Sequence, residues 1–303
     1  MVTSIHEPQT AAGPRIDRLA VIVHPSRNID GPLHDLFGWA ERRGVAVIQV
    51  PIEGQERLVA KPGEPGDCDL IVSIGGDGTM LAAIRVAVAA DRPVLGVACG
   101  SLGVLTTISA DALPESLDRF RRGDWSVRRL PALDVACDGI VDLSAFNDLV
   151  IVRAGIGQAR VVSRVDGILF SRLAGDGCIV STPIGSSAYT MAAGGPLMAP
   201  ETEAYVLTPL ATHGGSRQSL VIGARSTLSL DVSSGIGGVR LEIDGQIIAS
   251  EPHVITVSLR SAVATLVAFP DQEHPFARLR RRGLIVDSPR IVADDAREEG
   301  TGR

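Results

Sequence analysis

Five residues carry the clearest chemical signal in this sequence: Gly75-Gly76-Asp77-Gly78-Thr79, set between the apolar run Leu70 to Ile74 and a helix-like stretch starting at Met80. Glycines at a strand-to-helix junction open backbone conformations closed to other residues and let a polyphosphate approach the main chain, which makes Gly75, Gly76 and Thr79 candidate phosphate-binding residues. The helix start adds unpaired N–H groups and a dipole that favours an anion. Asp77 fits phosphoryl transfer if its carboxylate faces an acceptor hydroxyl as general base, or a phosphate through Mg²⁺. The alternative is a tight turn with an acidic first helical residue. A Walker P-loop is excluded, because no GxxxxGK occurs and the one lysine, Lys61, lies in a Pro/Gly loop. Donor phosphates are then left to backbone N–H groups, arginine and Mg²⁺ carried in on the phosphates, with no dedicated metal cage.

Two further clusters stand out. In the first, Gly175-Asp176-Gly177 precedes an apolar run that ends in Ser181-Thr182-Pro183-Ile184-Gly185-Ser186-Ser187-Ala188-Tyr189, with Gly194-Gly195-Pro196 beyond. Such a turn offers hydroxyls and N–H groups to a ligand; equally, it reads as a well-capped turn with Tyr189 in the core. In the second, Phe146-Asn147-Asp148 leads into Leu149 to Val152. Asn147 and Asp148 can bond the adjacent hydroxyls of a ribose, and they are also common residues for starting a strand after a turn.

The elements that must position these residues follow from hydrophobic spacing. Residues 1 to 15 are polar and broken by proline and glycine, which predicts a frayed terminus. Leu19 to Val23, Val45 to Val50, Leu70 to Ile74 and Val94 to Val97 read as strands buried on both faces. Between them lie a helix capped by Asp30 and stopped by Gly44, the stretch Met80 to Ala90, and an amphipathic helix over Ser109 to Arg122. Strands alternating with helices imply a doubly wound, Rossmann-like α/β domain over residues 16–125. Beyond Trp125 the pattern turns to short β runs, with Asp138-Gly139, Asp166-Gly167 and Asp244-Gly245 as hairpin signals. An antiparallel, sandwich-like domain over 126–268 is expected, with one helix over Ser187 to Ala193. Residues 269–303 include the helical stretch Pro275 to Arg282 and either pack on the first domain or fray.

Composition bounds the function. At 303 residues, 45% hydrophobic and 21% charged, the chain is expected to hold about two folded domains. With 29 basic against 35 acidic residues the net charge is -6, which argues against a nucleic-acid partner held by phosphate neutralisation. The basic clusters at Arg121, Arg122, Arg128, Arg129 and Arg280 to Arg282 read as solvated helix ends ahead of anion sites. Cys68, Cys99, Cys137 and Cys178 form no CxxC pair, and the six histidines have no metal-ligand spacing. No apolar run reaches membrane-span length, so a cytoplasmic enzyme without a membrane partner is the expectation.

Taken together, the order and spacing of GGDGT, Asn147-Asp148 and the Asp176 to Pro196 stretch resemble the NAD kinase family, over roughly Asp69 to Pro200, with weaker similarity at Asp244-Gly245-Gln246. GGDGT alone is shared with diacylglycerol and sphingosine kinases; the STPxGSxAY stretch is the specific part. The resemblance implies an α/β domain followed by a β domain, with the chain end returning to the first. The implied reaction is phosphoryl transfer from ATP or polyphosphate to the 2′-hydroxyl of NAD's adenosine ribose. By resemblance Asp77 is the general base, with Gly78 beside the NAD. Asn147 and Asp148 hold the adenosine, Asp176 binds the nicotinamide end, and Ser187, Ala188 and Tyr189 line the adenine pocket. Homodimers or homotetramers that complete each site from a neighbouring chain are implied too. The sequence departs from the family at Ile184, Val104 and Ala98, where a hydroxyl, a phenylalanine and an asparagine are usual, and in His213-Gly214-Gly215-Ser216. A lipid kinase and a non-catalytic NAD(P) sensor are the competing readings.

Overall fold

The computed structural model describes residues 7–8, 15–52, 56–100, 103–214 and 218–301. Ser101, Leu102, Gly215, Ser216 and most of the stretch 1–15 lie outside these residues.

The alternation read from the sequence is realised as β1 (Arg18–Val23), α1 (Asp30–Arg43), β2 (Ala46–Gln49), β3 (Leu70–Gly75), α2 (Asp77–Ala90), β4 (Val94–Ala98) and α3 (Leu113–Arg122). The apolar runs become strands because both faces are covered. Leu19, Val21 and Val23 join a core with α1 and α3, while Ala20 and Ile22 face a second core built on α2. The strands are parallel in the order β2-β1-β3-β4. The chain therefore builds outward from β1 in both directions, and strand order reverses between β1 and β3. Open sheets of this type bind ligands beyond the strands' carboxyl ends at such a reversal, here between His24 and Gly76.

Helix starts differ in detail from the reading above. α2 begins at Asp77, with Gly76 as an extended cap, so Asp77 to Thr79 form its first turn. Asp30 lies inside α1 and does not cap it; its own N–H is instead accepted by the Asn28 side chain at 3.1 Å. A 3₁₀ turn at Ala110–Ala112 precedes α3, whose first turn carries Pro114, a residue whose missing N–H costs nothing there.

The β domain contains β5 (Ser126–Cys137), β6 (Ile140–Ala145), β7 (Asp148–Arg153), β8 (Ala159–Val165), β9 (Ile168–Gly175), β10 (Gly177–Ser181), the one-turn α4 (Tyr189–Ala192), β11 (Ala204–Leu210), β12 (Leu220–Gly223), β13 (Leu228–Ser234), β14 (Val239–Ile243), β15 (Gln246–Ser250) and β16 (Val254–Ala268). One antiparallel sheet runs β12-β11-β10-β7-β14-β15, and it packs against the path through β9, β8, β13, β16 and β5. Val135 and Leu230 from one sheet meet Ile151, Val180 and Leu207 from the other in a shared core, as a sandwich requires. Asp138-Gly139, Asp166-Gly167 and Asp244-Gly245 all have positive φ at both positions, the signature of a tight hairpin turn.

β16 connects the two domains. It pairs antiparallel with β13 and β5 and runs on until Leu266 lies parallel to Val94 of β4. α5 (Pro275–Arg281) then returns Leu279 and Phe276 to the core beneath α2, and α6 (Pro289–Thr301) ends the described chain. Cys68, Cys137 and Cys178 are buried and Cys99 is half-buried, all as free thiols. Burial pushes each thiol's pKa up, Cys178 to about 12.

Candidate active site

A cavity of about 480 Å³ opens at the strand reversal, lined among others by His24, Arg27, Asp77, Thr79, Arg85 and Asp244. Asp77 is the first residue of α2, and its carboxylate is held by a loop from the end of β4. Oδ2 accepts the Val104 N–H at 3.0 Å, and Oδ1 accepts those of Leu105 and Thr106 at 3.1 and 3.3 Å. Gly103 makes this approach possible, since a Cβ there would stand 2.0 Å from Oδ1. With one N–H on it, Oδ2 keeps acceptor capacity for a further proton donor.

Cations flank the same helix start. The Arg27 guanidinium donates to the Cys99 carbonyl at 3.2 Å, and its Nη1 lies 3.2 Å from where a Gly76 Cβ would be. His24 caps the turn that presents Arg27: Nδ1 accepts the N–H groups of Ser26 and Arg27, both at 3.1 Å. Burial, then Arg27 and Arg57, hold the His24 pKa below its usual value, which keeps the ring available as an acceptor. Arg85 extends from α2 two turns beyond Asp77. Lys61 is exposed and is not among the residues that line the cavity.

Asp244, at the β14–β15 hairpin tip, organises the second half of the site. Its fully buried carboxylate pairs with Arg85 at 3.0 Å and accepts the N–H groups of Phe146, Asn147 and Asp148 at 3.1, 2.7 and 3.2 Å. Three of these four charge-assisted bonds fix the turn that carries Asn147 and Asp148, and the fourth ties it to α2. Asp148 is 6% exposed, and its pKa is pushed up to about 7 by burial first and by Asp244 and Glu242 next.

The STPIGSSAY stretch docks onto that turn. Thr182 donates its N–H to the Asn147 carbonyl at 2.9 Å and its hydroxyl to the Phe146 carbonyl at 2.7 Å. Gly185 passes so close that a Cβ would fall 1.9 Å from the Asn147 oxygen. The hydroxyls that the sequence offers to a ligand are bonded within the protein: Ser181 with Thr190, Ser186 with the Pro183 carbonyl, Ser187 with the Ile184 carbonyl. Tyr189 is 43% exposed, which rules out the core position allowed for it above. Expected as one helix over Ser187 to Ala193, the segment is a 3₁₀ turn at Gly185–Ser187 followed by α4.

Thus Gly75 to Thr79 join Asn147 and Asp148 through Arg85 and Asp244, and Ser187 to Tyr189 lie just beyond Asn147. Asp176 is not brought to this place. It precedes β10 at the end opposite Ser181, about 16 Å away at roughly 3.3 Å per residue, and its carboxylate pairs with Arg153 at 2.5 Å. Ile184, Val104 and Ala98 are 4%, 8% and 3% exposed, so these departures from the family pattern sit under the site and not on its surface. Sequence reasoning missed Arg27 and Arg85 as site residues and read Asp244 chiefly as a turn former. The only available signal was Arg85 two i+4 steps beyond Asp77 on one helix.

The site can hold an anion at the α2 start beside Arg27, with Arg85 further along the helix and paired with Asp244, and it presents a carboxylate at that start with an oxygen to spare. Known proteins share this arrangement's framework. A model of the ATP-NAD kinase N-terminal domain matches residues 31–125, and one of the ATP-NAD kinase C-terminal domain matches residues 136–268. An NAD kinase of Symbiobacterium thermophilum is 35% identical over 76% of this chain and 86% of its own length, and one of Acidobacterium capsulatum is 32% identical over 76% and 84%. Among solved structures, an Archaeoglobus fulgidus NAD kinase in complex with ATP superposes with a TM-score of 0.68 at 26% identity, covering 87% of this chain and 98% of its own. Yeast NADH kinase complexed with NADH shares the fold, with a TM-score of 0.75 at 20% identity over 90% and 89%. With both domain models matched in order across most of its length, this chain belongs to the NAD kinase family.

Proposed function

We propose that this protein is an NAD kinase that transfers the terminal phosphoryl group of ATP to the 2′-hydroxyl of NAD's adenosine ribose, giving NADP. The observation that carries the reading is the single cluster formed by Asp77, the α2 start, Arg27, Arg85 and the Asp244-fixed Asn147-Asp148 turn.

In this reading the adenosine ribose lies between Asp77 and the Asn147-Asp148 turn, with Gly78 against it and the adenine toward Ser187, Ala188 and Tyr189. The 2′-oxygen attacks the γ-phosphorus, the bond from that phosphorus to the β–γ bridging oxygen breaks, ADP leaves, and the hydroxyl proton passes to Asp77 Oδ2. Gly75, Gly76 and Thr79 present N–H groups to the donor phosphates, and Arg27 and Arg85 supply the positive charge that a P-loop takes from lysine. Asp77 and Asp244 are both occupied by backbone N–H groups, so this donor set suits a Mg²⁺ held mainly by donor phosphates and water. Asp176, at the far end of β10, would serve NAD bound in a neighbouring subunit of a homodimer or homotetramer. Among the described residues no helix is long and apolar enough to cross a membrane, and work in the cytoplasm fits this substrate.

The test is NADP formation from NAD with Mg²⁺ and either ATP or polyphosphate, read by an NADP-specific dehydrogenase. Asp77→Asn is expected to lower turnover by about 10²- to 10⁴-fold while NAD still binds. Near-wild-type turnover in that variant would refute the general-base role.

A further inference from the structure

The backbone decides which nitrogen of His24 carries a proton. His24 follows β1, and its N–H bonds to the Ile74 carbonyl at 2.9 Å, which sets it beside Gly75 at the end of β3. Nδ1 accepts the N–H groups of both Ser26 and Arg27, so that nitrogen is bare. In the neutral ring the proton then sits on Nε2, at the far end of the imidazole. Protonating Nδ1 as well would set its hydrogen against two N–H donors and push apart the turn that presents Arg27. Burial, then Arg27 and Arg57, add to that resistance and keep the ring neutral near pH 7.

Nε2–H is a fixed donor in search of an acceptor. Among the described residues none accepts its hydrogen, and His24, only partly buried, lines the cavity together with Arg27, Gly76, Gly78 and Thr79. The two carboxylates of that cavity are engaged elsewhere. Asp77 takes the N–H groups of residues 104 to 106, and Asp244 takes Arg85 and the Phe146 to Asp148 turn. What remains at the α2 start is a set of donors: helix N–H groups, the Arg27 guanidinium beside Gly76, and the imidazole N–H. Such a set suits phosphate oxygens.

We propose that His24 binds the phosphates of the phosphoryl donor: as a neutral imidazole it donates Nε2–H to a phosphate oxygen at the α2 start, while Nδ1 holds the turn that brings Arg27 to the same group. The kinetic consequence rests on the kinase reading; the phosphate contact itself does not.

Two substitutions separate the two nitrogens, because an asparagine Oδ1 falls where Nδ1 stands and a glutamine Nε2 falls where the ring Nε2 stands. Asn28 already accepts the N–H of Asp30 at 3.1 Å in this way. His24→Asn therefore keeps the turn and loses the donor. Its KM for ATP is expected to rise about ten- to hundredfold, the usual worth of a hydrogen bond to a charged acceptor, with the KM for NAD unchanged. His24→Gln keeps the donor and reads the cost of the turn alone. The second measurement needs no variant to be active. In the intact protein with histidine labelled by nitrogen-15, His24, identified among the six histidines by its loss in His24→Asn, should show a bare Nδ1 and a protonated Nε2. Inorganic tripolyphosphate and the β,γ-imido analogue of ATP, each with Mg²⁺, should both move the Nε2 resonance. The proposal is overturned if the proton is on Nδ1, if neither probe moves Nε2, or if His24→Asn keeps the wild-type KM for ATP, which would leave His24 as a cap only. Absence of NADP formation in the wild type would sink the kinase reading and leave the tripolyphosphate result to stand or fall by itself.

Discussion

Asp77 and Asp148 belong to one site and are held in opposite ways. Three N–H groups satisfy the Asp77 carboxylate, while Asp148 is buried near two other carboxylates, Asp244 and Glu242. With a folded pKa of about 7 against an unfolded value of about 3.9, the native state keeps a proton on Asp148 that the unfolded chain releases. Stability should therefore fall as pH rises from about 4 to 7, and stay reduced above. Asp148→Asn removes that dependence: its stability advantage over wild type is expected to widen by about 2 to 3 kcal/mol between pH 5 and pH 8. Urea denaturation at the two pH values reads this directly, and a gap that stays constant would contradict the raised pKa. Asp77 was legible in the sequence because three glycines and a strand-to-helix switch surround it. The burden on Asp148 was not, because it depends first on burial and then on Asp244 and Glu242, which lie far along the chain.

At the scale of elements, the site is a meeting of α2, the start of β7 and the β14–β15 hairpin, and Asp244 is where they meet. Hydrophobic spacing and Asp-Gly pairs made the strands and hairpins readable, since these are local properties of the chain. The docking of the β14–β15 tip onto Phe146 to Asp148 is a long-range contact with no local signature, so Asp244 read chiefly as a turn former, with the weaker family similarity at Asp244-Gly245-Gln246 as its one further mark. Likewise, the hydroxyls of Ser181, Thr182, Ser186 and Ser187 announced polarity without saying that the protein itself would use them. Asp244→Ala leaves Arg85 and three N–H groups without their acceptor. Each buried N–H group left unsatisfied typically costs about 1 to 3 kcal/mol, whereas Arg85, 30% exposed, can turn to water. Asp244→Asn keeps the shape and should fold better while loosening the Asn147-Asp148 turn. Its KM for NAD is expected to rise about tenfold, with a smaller change in kcat. Steady-state kinetics over a range of NAD concentrations would show the split, and a variant losing kcat alone would mean that Asp244 does not position NAD.

Across the whole molecule, β16 decides whether the two domains can be treated as separate. Ile255 and Val257 belong to the sandwich core, Ala264 and Leu266 to the core beneath α2, and Val267 to the core that packs α1 and α3. The strand bends where its register with β5 shifts between Arg260 and Ala264, at Ala262, whose φ of 57° is costly for a residue with a Cβ. Through that bend, loss of packing in the sandwich is transmitted along a covalent, hydrogen-bonded element into the α/β domain. The chain carries its own probe for this, because Trp39 and Trp125, its two tryptophans, both lie in the α1–α3 core. Ile255→Ala, fully buried in the sandwich, should cost about 2 to 5 kcal/mol. If the shared strand makes folding cooperative, that variant lowers the midpoint of the tryptophan fluorescence transition by as much as it lowers the far-ultraviolet circular dichroism midpoint, although neither tryptophan belongs to the mutated core. A fluorescence midpoint that holds at its wild-type value while the circular dichroism transition shifts would mean that the α/β domain unfolds on its own, and that β16 joins the two domains without coupling their stability.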